Sequence, residues 1–283
     1  MVLSTLYLSV ALAAIAHALP TASDAHNIVE AGFSPVDTAP FAPAPISEED
    51  LTPITSATEL TAEEVLAGFD LSKRQSSCAS GVYMIVARGS GEPQGPGRLS
   101  QVVQLIGQRI PGSVFTSVVY PANIIDFGAP AYPFSVREGI REVQRLIEAR
   151  VNQCPNERIV LLGYSQGANA CSTGLAGSGF GNPPLKENLR GNIRGVALFG
   201  DPTQAANQAY NRGTATDGEG ILGRTDFSLP ELSRYSSRLL QWCDRGDRVC
   251  AENIEPYDGA VHSNVVSKYA TAAANHIANV ATR

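Results

Sequence analysis

One stretch of the sequence has the residue pattern of a catalytic nucleophile. Residues 159–162 are apolar, and Gly163-Tyr164-Ser165-Gln166-Gly167 follows them directly. A buried strand that breaks at Gly-x-Ser-x-Gly into a helix holds its serine hydroxyl clear of the sheet. The first free N–H groups of that helix then point at the atom that the oxygen attacks. The motif alone also fits an ordinary strand–loop–helix junction, but its place after a strand-like run favours a nucleophilic Ser165.

A nucleophilic serine needs a general base, and the chain contains four histidines. His17 and His26 lie in segments that we expect to be removed. His276 falls beside the apolar face of a predicted last helix, which favours a structural role. His262 precedes that helix in a predicted loop, and the chemistry of open parallel sheets gathers in such loops. We therefore predict that His262 is the base.

The base needs a carboxylate to orient it, and in a hydrolase of this topology the carboxylate lies between serine and histidine in the sequence. Asp247 follows the last predicted strand, between Cys243 and Cys250. A bridge between these cysteines would hold Asp247 rigidly, as an orienting residue requires. Asp244 in the same segment and Asp258, which is nearer His262 in the sequence, remain alternatives.

The first 74 residues differ from the rest of the chain. Residues 1–18 are almost all apolar or small and end in Ala16-His17-Ala18, which is typical of a secretory signal peptide. The alternative, a transmembrane helix, is disfavoured because the apolar run is short and terminal. Residues 19–74 contain six prolines and end at the dibasic pair Lys73-Arg74. We predict a mostly disordered pro-segment cleaved there, with one short helix over residues 62–67, and a catalytic domain over residues 75–283.

Charge and cysteine content restrict the function of the mature chain. Residues 1–74 contain ten acidic and two basic residues, so the overall charge of −6 arises in the leader, and residues 75–283 are nearly neutral. A nearly neutral domain without a basic stripe gives no support to nucleic-acid binding. Five cysteines in a secreted chain indicate disulfides with one thiol left over. Their spacing is not that of a zinc site, and the sequence implies no other metal and no cofactor.

Apolar periodicity predicts alternating strands and helices after the leader. Such alternation is typical of right-handed crossovers and a parallel sheet covered on both faces. The sequence therefore predicts one α/β domain, a three-layer α/β/α sandwich with about five parallel strands. The strands are predicted near residues 82–87, 113–120, 159–162, 193–199 and 238–243, and the helices near residues 97–110, 136–151, 166–175 and 263–280.

Three motifs in this order resemble the cutinase family, secreted fungal serine esterases that also include acetylxylan esterases. They are Ala87-Arg88-Gly89-Ser90, Gly163-Tyr164-Ser165-Gln166-Gly167-Ala168, and Cys243-x-x-x-Asp247-x-Val249-Cys250 followed by a histidine. The resemblance covers residues 78–283 and implies a lidless α/β-hydrolase fold. It implies Ser165 as nucleophile, Asp247 as orienting residue and His262 as base, with an oxyanion hole from Ser90 and the N–H of Gln166. It also implies the disulfides Cys78–Cys154 and Cys243–Cys250, which leave Cys171 as the unpaired thiol.

The resemblance also implies where the substrate binds. The lips of the site would lie in residues 124–134 and 251–261, with candidates Ile124, Ile125, Phe127, Tyr132, Tyr257 and Val261. The first lip is apolar enough for an acyl chain and the second is more polar. We expect a secreted, monomeric esterase without a transmembrane anchor. Its substrate would be a cutin-like polymer or a small ester, or alternatively the acetyl esters of xylan.

Two other functions fit single features of the sequence. The glycine-rich loop around Ser90 has the place of a dinucleotide-binding turn, but its Gly-x-Gly-x-x-x-Gly spacing is wrong and Glu92 would face the pyrophosphate. A non-catalytic wall-binding or elicitor protein could use the same scaffold. The lone Trp242 stands at a strand end, however, and sugar-binding surfaces usually offer several exposed aromatic side chains.

Overall fold

A computed structural model describes residues 77–124, 131–179, 181–225 and 227–283. The predicted signal peptide, pro-segment and short helix at residues 62–67 lie outside these residues. The domain boundary at Lys73-Arg74 therefore stays a prediction.

The described chain forms a parallel sheet of six strands in the order β2-β1-β3-β4-β6-β5. Every residue of β1 and β3 is buried, because helices cover both faces of the sheet and central parallel strands consist of continuous apolar runs. The strands are β1 (Tyr83–Ala87), β2 (Val114–Ser117), β3 (Ile159–Tyr164), β4 (Ile193–Phe199), β5 (Asn211–Arg212) and β6 (Leu239–Trp242).

In the described residues, five α-helices and two short 3-10 helices connect or follow the strands. The α-helices are α1 (Ser100–Arg109), α2 (Ala131–Gln153), α3 (Gln166–Ala176), α4 (Ser228–Ser233) and α5 (Gly259–Ala281), and the 3-10 helices are Gly97–Leu99 and Glu187–Asn192. Helices α2 and α3 pack on one face of the sheet, and α1 and α5 pack on the other. Within the described ranges, no helix is both long and apolar enough to cross a bilayer.

The core divides into two clusters because successive side chains of a strand point to opposite faces. In β1, Ile85 packs toward α2 and α3, whereas Met84 and Val86 pack toward α1 and α5. The three-layer architecture predicted from the sequence is thereby confirmed.

The number of strands and several boundaries differ from the prediction, including the start of α2 at Ala131 rather than near residue 136. The sheet has six strands rather than about five, because the edge strand β5 has two residues and leaves no periodic pattern. Strand β2 ends at Ser117 rather than Tyr120, and the Arg88 guanidinium binds the carbonyls of Val118 and Tyr120 at 3.3 and 2.7 Å. Helix α5 begins at Gly259 rather than Ser263, because Asp258 caps it by accepting a hydrogen bond from the N–H of Ala260.

Candidate active site

Ser165 lies on the turn between β3 and α3 with an unusual backbone conformation. Its φ of 54° and ψ of −120° fall outside the regions that non-glycine residues normally adopt. There is no space for a side chain at either glycine that flanks Ser165 in the motif. A Cβ on Gly163 would lie 2.7 Å from the main chain of Ala168, and one on Gly167 would lie 2.0 Å from the carbonyl oxygen of Ala87. The close approach of α3 to the end of β3 therefore explains Gly163, and its close approach to the end of β1 explains Gly167.

The imidazole of His262 connects Ser165 to Asp247. His262 Nε2 lies 3.0 Å from Ser165 Oγ, and His262 Nδ1 lies 2.8 Å from Asp247 Oδ2. Asp247 is fully buried. Because a carboxylate only accepts hydrogen bonds, Nδ1 carries the proton and Nε2 is free to accept the proton of the serine hydroxyl. This arrangement can activate a serine nucleophile.

The loop after β6 fixes the carboxylate of Asp247. A disulfide joins Cys243 to Cys250 at the two ends of this loop. Asp247 Oδ1 accepts a hydrogen bond of 2.9 Å from the N–H of Val249, which leaves Oδ2 for His262. The hydrogen bond from the main chain of the loop therefore fixes which carboxylate oxygen faces the imidazole.

His262 lies in the first turn of α5 and not in the loop before it, which corrects the predicted position. The cause is the helix cap at Asp258 described above. Two further contacts hold the imidazole. Its ring lies 5.2 Å from the ring of Tyr164, and a Cβ on Gly200 would lie 2.7 Å from its Cε1. Sequence reasoning missed both residues, although Tyr164 lies inside the serine motif and Gly200 directly follows β4.

The structure also shows what the competing candidates contact. Asp258 caps α5, and Asp244 binds Lys268 and Tyr269 of the same helix. His276 lies in the fifth turn of α5, where its Nε2 is 3.1 Å from the carbonyl oxygen of Arg238. Burial lowers the pKa of His276 from its usual value. Of the described candidates, Asp247 and His262 are the carboxylate and imidazole that approach Ser165.

The two residues of the predicted oxyanion hole follow neighbouring strands. Ser90 comes after β1 and Gln166 after β3. The buried side chain of Gln166 accepts a hydrogen bond of 2.8 Å from Ser135 Oγ and donates one of 2.9 Å to the carbonyl of Asn123. This links the start of α3 to the loop that follows β2. The side-chain role of Gln166 has no signal in the sequence, because its partners are 31 and 43 residues away.

The predicted lip residues have different surroundings. Ile124 is 70% exposed and would touch a Cβ placed on Gly91, so it lies beside the loop that carries Ser90. Tyr257 is 39% exposed, and Val261 is partly buried. Tyr132 is only 7% exposed, because α2 begins at Ala131 and turns this ring into a cluster with α3, so it forms no exposed lip. Ile125 and Phe127 lie outside the described residues.

The cysteines are arranged as the resemblance implied. Cys78 is bonded to Cys154, Cys243 is bonded to Cys250, and Cys171 is a buried free thiol whose pKa is raised by its burial. In the part of the chain that the structure describes, two groups of cysteine and carboxylate side chains are close enough to hold a metal ion. The cysteines of each group are bonded to each other, so they offer no thiolates.

Known proteins that resemble this chain indicate one family. The cutinase family model matches residues 78–280, a range that contains all six strands. Cutinase 11 of Verticillium dahliae is 34% identical over 229 residues, which cover 77% of this chain and 74% of that protein. Acetylxylan esterase of Hypocrea jecorina is 32% identical over 222 residues, which cover 75% of this chain and 71% of that protein.

A solved structure gives the same result. The catalytic core domain of acetyl xylan esterase from Trichoderma reesei superimposes with a TM-score of 0.64 at 27% identity. The match covers 72% of this chain and all of that domain.

Proposed function

Since this chain belongs to the cutinase family, a family of carboxylic ester hydrolases, we propose that it is a secreted serine esterase that forms an acyl-enzyme on Ser165. The observation that carries this proposal is the continuous hydrogen-bonded path from Ser165 Oγ through His262 to Asp247, with contacts of 3.0 and 2.8 Å.

In the first half-reaction, Ser165 Oγ attacks the ester carbonyl carbon while its proton passes to His262 Nε2. Asp247 stabilises the resulting imidazolium through the Nδ1–H hydrogen bond. His262 then donates the proton to the alcohol oxygen as the C–O bond breaks, and the acyl group stays on Ser165.

In the second half-reaction, water takes the place of the alcohol. His262 removes a proton from the water, which attacks the acyl carbon and releases the carboxylic acid and the Ser165 hydroxyl. We assign Ser90 and the N–H of Gln166 to the oxyanion hole of both tetrahedral intermediates. The N–H of Gln166 suits this role because it is at the N-terminus of α3 and points away from the helix.

Cutin-type polyester, or esters of short to medium acyl chains, is the substrate class that we propose. Ile124 supports it, because this exposed apolar side chain lies beside the loop of Ser90 and can cover part of an acyl chain. The 34% identity to a protein named cutinase agrees with this assignment.

Deacetylation of xylan is the second candidate, and the other lip favours it. Glu252, Asn253, Glu255 and Asp258 are all exposed in the segment that leads to His262. A polar lip suits a sugar chain better than an acyl chain. The relatives that are named acetylxylan esterases support the same alternative.

Two assays test the function. Processed protein is first treated with a serine-directed phosphonate, and we expect one adduct, at Ser165, that is lost in S165A. Absence of the adduct would rule out the esterase and favour a non-catalytic wall-binding protein. Hydrolysis rates for p-nitrophenyl esters from acetate to palmitate, measured beside acetylated xylan and cutin, then distinguish the substrate classes. A maximum at acetate with release of acetate from xylan would favour the second candidate.

Secretion and processing belong to the proposal as well. We propose that the first 18 residues are a signal peptide and that cleavage after Arg74 releases the catalytic domain as a monomer. N-terminal sequencing of protein from the culture medium is expected to start at Gln75. A start at Leu19 would contradict the pro-segment, and sedimentation analysis of the same protein tests whether it is monomeric.

A further inference from the structure

Asp244 is a second carboxylate in the disulfide loop of Asp247, and the proposed mechanism does not use it. The residue is 4% exposed. Its Oδ1 accepts hydrogen bonds from the N–H and hydroxyl of Thr214 at 2.8 and 2.9 Å and from the hydroxyl of Tyr269 at 2.8 Å. Its Oδ2 lies 2.6 Å from Nζ of Lys268. A buried carboxylate with four donors is held firmly, and two of the donors belong to α5.

The charges of this cluster are set by the same contacts. Burial by itself raises the pKa of Asp244, but the hydrogen bonds from Lys268, Tyr269 and Thr214 outweigh it and hold that pKa below its usual value. The contact with Asp244 raises the pKa of Lys268. Asp244 is therefore ionised and Lys268 is protonated at neutral pH, so the pair is charged under the conditions of ester hydrolysis.

Two side chains of the loop contact the helix, and the carbonyl of Gly246 in the loop also accepts a hydrogen bond of 2.8 Å from the N–H of the cap residue Asp258. Asp247 meets His262 in the first turn of α5, and Asp244 meets Lys268 and Tyr269 nearly two turns further along. At a rise of 1.5 Å per residue, the two contacts are about 9–10 Å apart along the helix axis. The contacts of Gly246 and Asp247 both lie at the start of the helix, so the loop can pivot about that end, whereas the contact of Asp244 further along fixes the angle of the loop as well.

We infer that Asp244 is a positioning residue, which holds the loop of Asp247 against α5 so that Asp247 keeps His262 in its reactive orientation. This inference rests on the proposed function of Ser165, Asp247 and His262. Its physical basis is the tolerance of catalysis, because a displacement of about 1 Å at a reacting group can lower a rate by about a hundredfold.

Three variants separate positioning from folding. D244A removes all four contacts. D244N retains an oxygen that can accept the bonds from Thr214 and Tyr269 but loses the ion pair with Lys268. D217N is the matched control, because Asp217 anchors the same loop through Arg245 at 2.7–2.8 Å and ties it to the segment after β5 instead of α5.

Each variant is assayed for kcat and KM with p-nitrophenyl butyrate, for its rate of phosphonate inactivation, and for Tm. We expect D244A to lower kcat and the inactivation rate about tenfold or more, with KM within about twofold. D244N is expected to lie between D244A and the wild type, and D217N within about twofold of the wild type. The downfield proton resonance of His262 Nδ1–H should broaden in D244A and persist in D217N.

Several results would overturn the inference. They are an unchanged kcat in D244A, an equal loss in D217N, and a loss in D244A that matches its unfolded fraction at the assay temperature. Failure of the proposed function is a different result, in which wild-type protein gives no adduct at Ser165. The effect of D244A on the His262 resonance then still tests whether Asp244 positions the loop.

Discussion

Ser165 Oγ lies 3.0 Å from His262 Nε2, although 97 residues separate the two in the sequence. Their meeting depends on the sheet, because β3, β4 and β6 are parallel neighbours whose carboxyl ends lie at one edge. Ser165 follows β3, Gly200 follows β4, and Asp247 follows β6. Helix α5 then brings His262 to the same edge. The path from serine to carboxylate is therefore assembled at the ends of three strands that are neighbours in the sheet, together with one helix.

Replacing Asp247 by Asn should lower kcat by about three to four orders of magnitude and leave Tm within a few degrees. The amide cannot stabilise the imidazolium and favours the wrong tautomer of His262, as the corresponding change does in serine proteases. Steady-state kinetics with p-nitrophenyl butyrate measure the loss. D258N is the control, because Asn caps a helix as well as Asp and we expect kcat within about twofold. A large loss of kcat in D258N and a small loss in D247N would mean that Asp258, and not Asp247, orients His262.

Replacing Ser90 by Ala should lower kcat by about a hundredfold with little change in KM. The hydroxyl is expected to donate to the oxyanion only in the tetrahedral intermediate, so its loss weakens transition-state binding and not substrate binding. Kinetics with the same ester provide the measurement, and S267A, which removes an exposed hydroxyl of α5, provides the control. Equal kinetics in S90A and S267A would remove Ser90 from the oxyanion hole.

Much of the fold was predictable because its signals are local. Strand β4 was predicted with its observed bounds, and β3 begins at the first residue of its predicted apolar run, since continuous burial leaves an uninterrupted apolar run. The end of β2 was not predictable, because Arg88, about 30 residues earlier, binds the carbonyls that would continue the ladder. Strand β5 was missed because two residues make no pattern.

The residues of the candidate site also differ in whether a local sequence signal reveals them. Ser165 stands in a motif whose glycines are dictated by nearby backbone, so the sequence reveals it. Asp247 could not be separated from Asp244 by spacing, since both lie in one loop and only the structure shows which faces the imidazole. The tie between Gln166 and Asn123 joins distant segments and could not be predicted at all.

Replacing His276 by Gln should leave kcat within about twofold and change how stability depends on pH. Burial lowers the pKa of His276 in the folded state, so the unfolded chain binds a proton more readily. The wild type should therefore have its full stability above about pH 6.5 and lose part of it as the pH falls through the folded-state pKa. Tm measured from pH 8 to pH 5 should fall less steeply in H276Q. A large loss of kcat would mean that His276 and not His262 is the base.

The two disulfides should have different effects on stability and on activity. The Cys78–Cys154 bridge closes a loop of 76 residues, and loop-closure entropy predicts that removing it costs about 4.5 kcal/mol of unfolding free energy. The Cys243–Cys250 bridge spans seven residues, for which the same relation gives about 2.5 kcal/mol. Asp247 lies inside the smaller loop, so removal of the Cys243–Cys250 bridge should lower kcat as well. Denaturant unfolding and kinetics of the two double-alanine variants, at a temperature where both are folded, measure these effects.

The role of the small loop is tested by comparing the loss of stability with the loss of kcat in each double variant. C78A/C154A should lose more stability and keep kcat within about twofold, because its bridge lies at the opposite end of the strands from Ser165. C243A/C250A should lose less stability and lower kcat about tenfold or more, because the loop of Asp247 then depends on its hydrogen bonds alone. If kcat follows stability in both variants, the small loop does not hold Asp247 in place, and its rigidity must be assigned to the contacts of Asp244 with α5.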